Sequence, residues 1–283
     1  MPGKLVICPT PIGNLDDMPP RALAALRDAD VVCAEDTRVT GKLLAAFGIR
    51  TRLERLDENL MGERAASIVE RVRAGETLAY CSDAGMPGVS DPGLRLVDAA
   101  LDAGVPVEVL PGPTAVATAY VASGFTCPRF YFGGFFPRKA GERAQALESL
   151  RGLDAVALFY ESPHRIASAL ADVAHALPMR RVAVCRELTK LHEEVVRGQS
   201  GDVAATFAAR EAEGGVKGEV VLVVDAPGEH EREAQAADAA VSAADRAAQL
   251  VAEGVLSRKD IVKALREEFG ISRNEAYDLV HGL

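Results

Sequence analysis

The stretch SDAGMPGVSDPG, Ser82 to Gly93, decides how the chain is read. It stands between a short apolar run, Thr77 to Cys81, and a helix-like segment, Leu94 to Ala103, so it occupies a turn from strand into helix. Gly85, Gly88 and Gly93 allow sharp turns and close approach of a bound molecule, Pro87 and Pro92 stiffen the backbone, and Asp83 and Asp91 offer acceptors without bulk. A plain connector rarely needs all three. The stretch lacks the Lys-Ser/Thr pair of a phosphate-binding P-loop and the GxGxxG spacing of a dinucleotide site. Its acidic acceptors suit hydroxyls or an ammonium group better than phosphate.

Outward from this loop, the first half of the chain repeats one pattern of β-prone run, Gly/Pro-rich loop and amphipathic helix. Leu5 to Cys8 leads into PTPIGNLDDMPP, Val31 to Glu35 into DTR and a helix through Phe47, and Val105 to Leu110 into PGPTA and a helix through Ser123. Alternation of this kind predicts a parallel α/β sheet with its ligand loops at the carboxyl ends of the strands. From Phe130 the runs become denser: FYFGGF, then 154–160, 182–185, 193–197 and 219–224. These predict a second α/β lobe with some antiparallel pairing, and a cleft between lobes as the place for a small molecule. The expected organisation is an α/β lobe over residues 1–125, a second over 126–227, a linker or loosely helical spacer over 228–244, and a helix-turn-helix-like domain over 245–283. In the last of these, Ser257 and Ser272 are the expected N-caps.

The chain has 283 residues, 48% of them hydrophobic, and a formal net charge of -9. That length supports a sizeable core, and that charge opposes non-specific attraction to nucleic acid, so an RNA-binding reading needs a local basic patch. Cys8, Cys33, Cys81, Cys127 and Cys185 are far apart with no metal-ligand spacing, which points to reduced thiols and to neither a zinc site nor a disulfide framework. No Arg-rich or apolar leader precedes the first run and no apolar stretch is long enough for a bilayer. The expectation is a cytoplasmic protein without a membrane partner.

Several other loops are dense in polar groups. In AEDTR, Asp36 is placed to cap a helix, and Arg38 to pair with a carboxylate or meet a phosphate. GFFPRK, Gly134 to Lys139, with Arg143 one turn on, combines apolar anchors with the basic groups Arg138, Lys139 and Arg143, a candidate RNA-backbone patch. FYESPHR ends a strand with Tyr160, Glu161, His164 and Arg165; RELTKLHEE and KGE gather charge around two further strands.

Taken in order, PTPIGNL, AEDTR, SDAGMPGVSDPG, PGPTA, GFFPRK, FYESPHR, RELTK and KGE resemble the tetrapyrrole methylase superfamily. Within it they are most similar to the branch that methylates a cytidine 2'-oxygen in bacterial small-subunit ribosomal RNA. The resemblance runs from about Lys4 to Asp225, and the tail resembles that branch's helical extension. It implies a homodimer with S-adenosylmethionine in the cleft between two lobes, acting on small-subunit RNA within the 30S subunit. It also implies cofactor contacts at Thr10, Pro11 and Ile12, at Asp83, Gly85 and Met86, at Thr114 and Ala115, and near Tyr160, Leu188 and Gly218. Pro9, Met86 and Thr114 depart from the Ala or Gly, Thr and Ser usual there, changes that adjust a pocket wall.

Methyl transfer from a sulfonium to oxygen needs in-line positioning and removal of the hydroxyl proton, and no metal. The candidate bases are Glu187 first, then Glu161 and His164, with Arg186, Arg165 and Lys190 placed to hold a backbone phosphate. Two rival functions remain: methylation of a precorrin-type tetrapyrrole, and a ligand-sensing helix-turn-helix regulator. Against the regulator, the basic residues of the tail are interleaved with as many acidic ones, a poor footprint for duplex DNA.

Overall fold

The computed structural model describes residues 3–282; residues 1, 2 and 283 of the expected first lobe and tail lie outside the described residues. The chain divides into two units, Met1–Ala226 and Pro227–Leu283.

The first unit holds two sheets. Strands β1 (Lys4–Ile7), β2 (Val31–Ala34), β3 (Leu53–Arg55), β4 (Thr77–Cys81) and β5 (Val107–Val109) pair in the order β3-β2-β4-β1-β5, every pair parallel. Helices α1 (Pro20–Asp28) and α2 (Thr37–Ala46) bury Leu26 and Leu44 on one face with Val6 and Val32. On the other, α3 (Glu58–Arg73) and α4 (Leu94–Asp102) bury Ile68 and Leu96 with Leu5 and Leu78. Pro20 opens α1 where its missing N–H costs nothing, and Asp36 caps α2 by accepting from the Arg38 N–H.

The second sheet contains β6 (Phe130–Phe135), β7 (Val156–Glu161), β8 (Arg181–Arg186), β9 (Glu194–Gln199) and β10 (Val220–Val224) in the order β6-β7-β10-β8-β9. Only β6 and β7 are parallel; β10 lies antiparallel between β7 and β8, and β9 antiparallel beside β8. α6 (Ala140–Arg151), α7 (Ile166–Ala176) and α8 (Ser200–Ala212) cover one face through Leu150, Leu170, Val173 and Phe207. The other face is covered by α5 (Ala115–Ser123), whose Val116 and Ala119 pack on Val156, Leu158, Ala183 and Val221. The expected boundary at 125/126 therefore falls one helix late: α5 follows a strand of the first sheet but buries its apolar residues on the second.

The second unit is three helices, α9 (Glu229–Glu253), α10 (Arg258–Phe269) and α11 (Arg273–His281), around Ala247, Leu250, Ile261, Leu265, Ala276 and Val280. Ser257 and Ser272 cap α10 and α11, the latter with a capping box to Glu275. Of the two readings of 228–244, linker and loosely helical spacer, the linker is corrected: residues 229–244 are the larger part of α9. Its scarcity of large apolar groups suggested loose structure, yet a run of Ala, Glu, Gln and Arg has high intrinsic helix preference.

Candidate active site

The carboxyl ends of β1, β4, β7 and β8 and the start of β10 surround a cavity of about 420 Å³, within the usual range for a small-molecule site. Ile12, Gly85, Met86, Val89 and Asp91 line it from the first-sheet loops, Thr114 and Ala115 from the start of α5, and Phe135, Tyr160, Glu161, Leu188, Gly218 and Glu219 from the second lobe. The wall includes three carboxylates, Asp91, Glu161 and Glu219, and no Lys or Arg among the described residues. Such a lining disfavours a polyphosphate and fits a ligand that is part apolar and part cationic.

The loops are tied to one another by hydrogen bonds. Thr10 and Gly85 exchange two backbone hydrogen bonds, N–H to O distances of 2.9 and 3.1 Å, joining the loop after β1 to the one after β4. The Asp83 carboxylate accepts the Asp36 N–H at 3.0 Å, joining the β4 loop to the β2 loop. Gly85 has φ +76°, which favours glycine, and a Cβ there would lie 3.2 Å from Ile12 Cγ2 on the cavity wall, a tight approach. Across the cleft, the Lys190 stem lies where a Cβ on Gly13 would be, 2.5 Å from its Cγ. Among the described residues, left-handed backbone at non-glycine positions occurs at Ser90, Glu187 and Thr189. The first precedes Asp91 and the other two bracket Leu188, both on the wall. Strain is thus concentrated where two side chains are aimed inward.

The carboxylates differ in their partners. Burial, reinforced by the Glu35 charge and opposed by a Ser82 hydrogen bond, pushes Asp91 up to about 6. Glu161, buried, is also raised by desolvation, but the Ser162 N–H and the Arg165 guanidinium oppose the shift. Glu187 is instead lowered: it accepts from Lys190 Nζ at 2.9 Å and from the Glu219 N–H at 2.9 Å. Lys190 reaches Glu219 as well, at 2.9 Å. Asp91 has no cationic partner of this kind among the described residues.

Of the expected cofactor residues, Ile12, Gly85, Met86, Thr114, Ala115, Tyr160, Leu188 and Gly218 lie on the cavity wall. Thr10, Pro11 and Asp83 do not; Thr10 and Asp83 instead tie the loops together. Among the expected bases only Glu161 is on the wall. Glu187 sits outside it in the Lys190 ion pair, a position that weakens it as a base, and His164 is exposed on the turn into α7. Asp91, read from sequence as an acceptor of the loop but not as a base, lies on the wall, between the left-handed Ser90 and Pro92.

The expected RNA-binding cations are mostly engaged. Arg38 pairs with Asp36, Lys139 with Glu142, Arg143 with Asp172, Arg165 with Glu161, Arg186 with Glu194 and Lys190 with Glu187 and Glu219. Arg138 is exposed and has no carboxylate partner among the described residues.

A family model described as tetrapyrrole (corrin/porphyrin) methylases matches residues 4–204. The chain belongs to the tetrapyrrole methylase family. It is 39% identical over 279 residues to ribosomal RNA small subunit methyltransferase I of Halalkalibacterium halodurans, covering 99% of this chain and 95% of that one. With the protein of the same name from Mycobacterium tuberculosis it shares 46% over 231 residues, 81% of this chain and 79% of the other. The fold is that of diphthine synthase, with TM-score 0.62 and 16% identity over 79% of this chain and 90% of that one. It is also that of the methyltransferase CobJ, with TM-score 0.59 and 22% identity over 80% and 100%. The match to the tetrapyrrole methylases spans the first sheet, α5 and most of the second, and so takes in the whole cavity wall except Gly218, Glu219, Val220 and Val221.

Proposed function

We propose that the chain transfers a methyl group from S-adenosylmethionine to a cytidine 2'-oxygen of small-subunit ribosomal RNA. The observation that carries the cofactor half is the wall itself: apolar surface from Ile12, Val89 and Leu188, three carboxylates and no cation, with a glycine cradle at Gly85. That chemistry suits an adenosine body and a positively charged tail. The RNA half rests on similarity over most or all of the chain to proteins named for small-subunit RNA, which favours this acceptor over a tetrapyrrole.

S-adenosylmethionine, when bound, supplies a methyl group on a sulfonium that departs as a neutral thioether. The protein must then hold the acceptor and take its proton. Ile12, Met86, Ala115 and Leu188 enclose the apolar part of the site and exclude water. Asp91 is the proposed base: it faces the cavity, carries no ion-pair partner and sits near neutral in basicity, so its carboxylate takes the proton of the attacking hydroxyl. Glu161, braced by Arg165, is held at a fixed place and helps to orient the sugar. Exposed Leu94 and Leu101, seven residues apart on one face of α4, offer a surface for the second copy of a homodimer. A cytoplasmic enzyme meeting its RNA within the 30S subunit completes the reading.

The test is incubation of the purified chain with methyl-labelled S-adenosylmethionine and small subunits from a strain lacking the gene, beside a precorrin acceptor. Label in the RNA and none in the tetrapyrrole is the expected result; the reverse removes the proposal.

A further inference from the structure

A regular strand places alternate residues on opposite faces, so Phe132 and Phe135, three apart on β6, belong on opposite sides of the sheet. They are not. Phe132 pairs with Leu158 and Phe135 with Tyr160, three steps on β6 against two on β7, which is a bulge of one residue at Gly133–Gly134. The glycines permit it: a Cβ on Gly133 would lie 2.2 Å from the Phe159 ring, and Gly134 has φ +71°. As a result Phe136 enters the core against Phe159, whereas Phe135 turns to the cavity side and meets Tyr160 edge to face at 5.6 Å.

Phe135 lines the cavity and is nevertheless 64% exposed, so its ring stands at the mouth. Tyr160, itself in edge contact with Phe132 at 5.0 Å, braces it from within. The bulge also approaches the strained turn before Asp91: a Cβ on Gly134 would be 3.7 Å from Ser90 Oγ. Three residues on, Arg138 is exposed without a carboxylate partner. One short segment thus presents an aromatic face near the wall that carries Asp91, followed by an uncompensated cation.

Resting on the reading of the site as a ribose methylase, we propose that Phe135 is a stacking platform for the unstacked base of the acceptor nucleotide, with Arg138 meeting an adjacent phosphate. A 2'-hydroxyl reaches into a cavity recessed between loops only if its nucleotide is splayed from its neighbours, and the lost base stacking is replaced most simply by an aromatic face at the rim. Phe135 has no hydrogen-bonding group, so it holds the base without identifying it. The ligand class is single-stranded RNA.

The experiment compares Phe135→Ala, Phe135→Leu and Phe135→Trp by S-adenosylmethionine calorimetry, sedimentation and methylation of unmodified small subunits. Alanine should lower kcat/KM for the subunit about 5- to 150-fold, the range for losing one base–aromatic stack. Leucine should recover little of that loss and tryptophan most of it, with cofactor affinity and oligomeric state unchanged in all three. A parallel loss of cofactor affinity makes Phe135 part of the cofactor wall, full activity with leucine makes it simple packing, and altered sedimentation makes it an interface between copies; each overturns the platform. Absence of labelling by the unmodified enzyme sinks the ribose-methylase reading and the platform with it, whereas normal labelling beside any of those three results sinks the platform alone.

Discussion

The two lobes approach the cavity by different means. The first lobe uses mainly backbone: a parallel sheet whose loops are cross-tied by the Thr10–Gly85 bridge, with the Asp83 carboxylate accepting the Asp36 N–H as a side-chain tie, and lined mostly by small or apolar groups. The second uses side chains held by charge, with Glu161 on Arg165, Glu187 and Glu219 on Lys190, and Glu194 shared by Arg186 and Arg210. A glycine loop shapes a site by what it leaves out, so enlarging it should act on binding. A braced side chain shapes a site by what it holds still, so removing it should act on stability and on the acceptor. Asp91 is the exception, a first-lobe side chain on the wall that has a Ser82 hydrogen bond but no cationic partner among the described residues.

That exception predicts the largest effect. Asp91→Asn should lower kcat by about two to four orders of magnitude with cofactor affinity nearly intact. In the unaltered enzyme kcat/KM should fall with unit slope below about pH 6, where Asp91 takes a proton in the free enzyme, and the variant should lack that limb. Because the carboxyl is raised in the folded state, its ionisation opposes folding. Stability linked to it is full below the unfolded carboxylate range and declines as pH rises through about 6. The asparagine variant should therefore melt higher than the parent at pH 8 and match it near pH 3. A loss of cofactor affinity in place of turnover would reassign Asp91 to holding the ligand's cationic end.

Gly85→Val should come next, weakening S-adenosylmethionine binding by about a hundredfold or more, since it combines left-handed backbone strain with intrusion toward Ile12. Ala115→Leu, on the same cavity, should act in the same direction. Calorimetry on folded variants reads both, and unchanged affinity would erase the contrast between backbone-shaped and charge-braced walls.

Glu187→Gln should show the second-lobe behaviour: turnover within a few-fold of normal, but stability lower by about 1 kcal/mol through the weakened Lys190 and Glu219 contacts. The carboxylate is lowered by Lys190 and then by the Glu219 N–H, so its contribution is present at neutral pH and fades as pH falls through its titration. The gap between variant and parent in thermal melts should close in acid. A fall in turnover of a hundredfold would restore Glu187 as the base.

The smallest effect on the cavity should come from ending the chain at Ala226, the close of the first unit. Cofactor affinity should stay within about twofold, while methylation of small subunits weakens through lost avidity across the connection to α9. A truncated enzyme with full activity on subunits would deprive the tail of a role in recognition.

The strand-end loops could be read in sequence because Gly and Pro declare their backbone demands locally, and the caps at Ser257 and Ser272 were legible for the same reason. What the loops touch was not. Thr10 and Asp83 look like ligand contacts until the Thr10–Gly85 bridge and the Asp36 hydrogen bond turn them to neighbouring loops. β3 is three residues long and went unmarked, as did α3 after it. α5 reads as the partner of the strand before it, and only tertiary packing assigns it to the second sheet. FYFGGF reads as a strand, but its bulge emerges from pairing with β7 and the space beside Phe159.

The most direct measurement is nucleoside analysis of small-subunit RNA from a strain lacking the gene, before and after treatment with the purified enzyme and methyl-labelled S-adenosylmethionine. Digestion to nucleosides should release the label as 2'-O-methylcytidine, with none when Asp91→Asn replaces the parent over the same interval. Label on a base, on another ribose, or nowhere in the RNA would contradict the account.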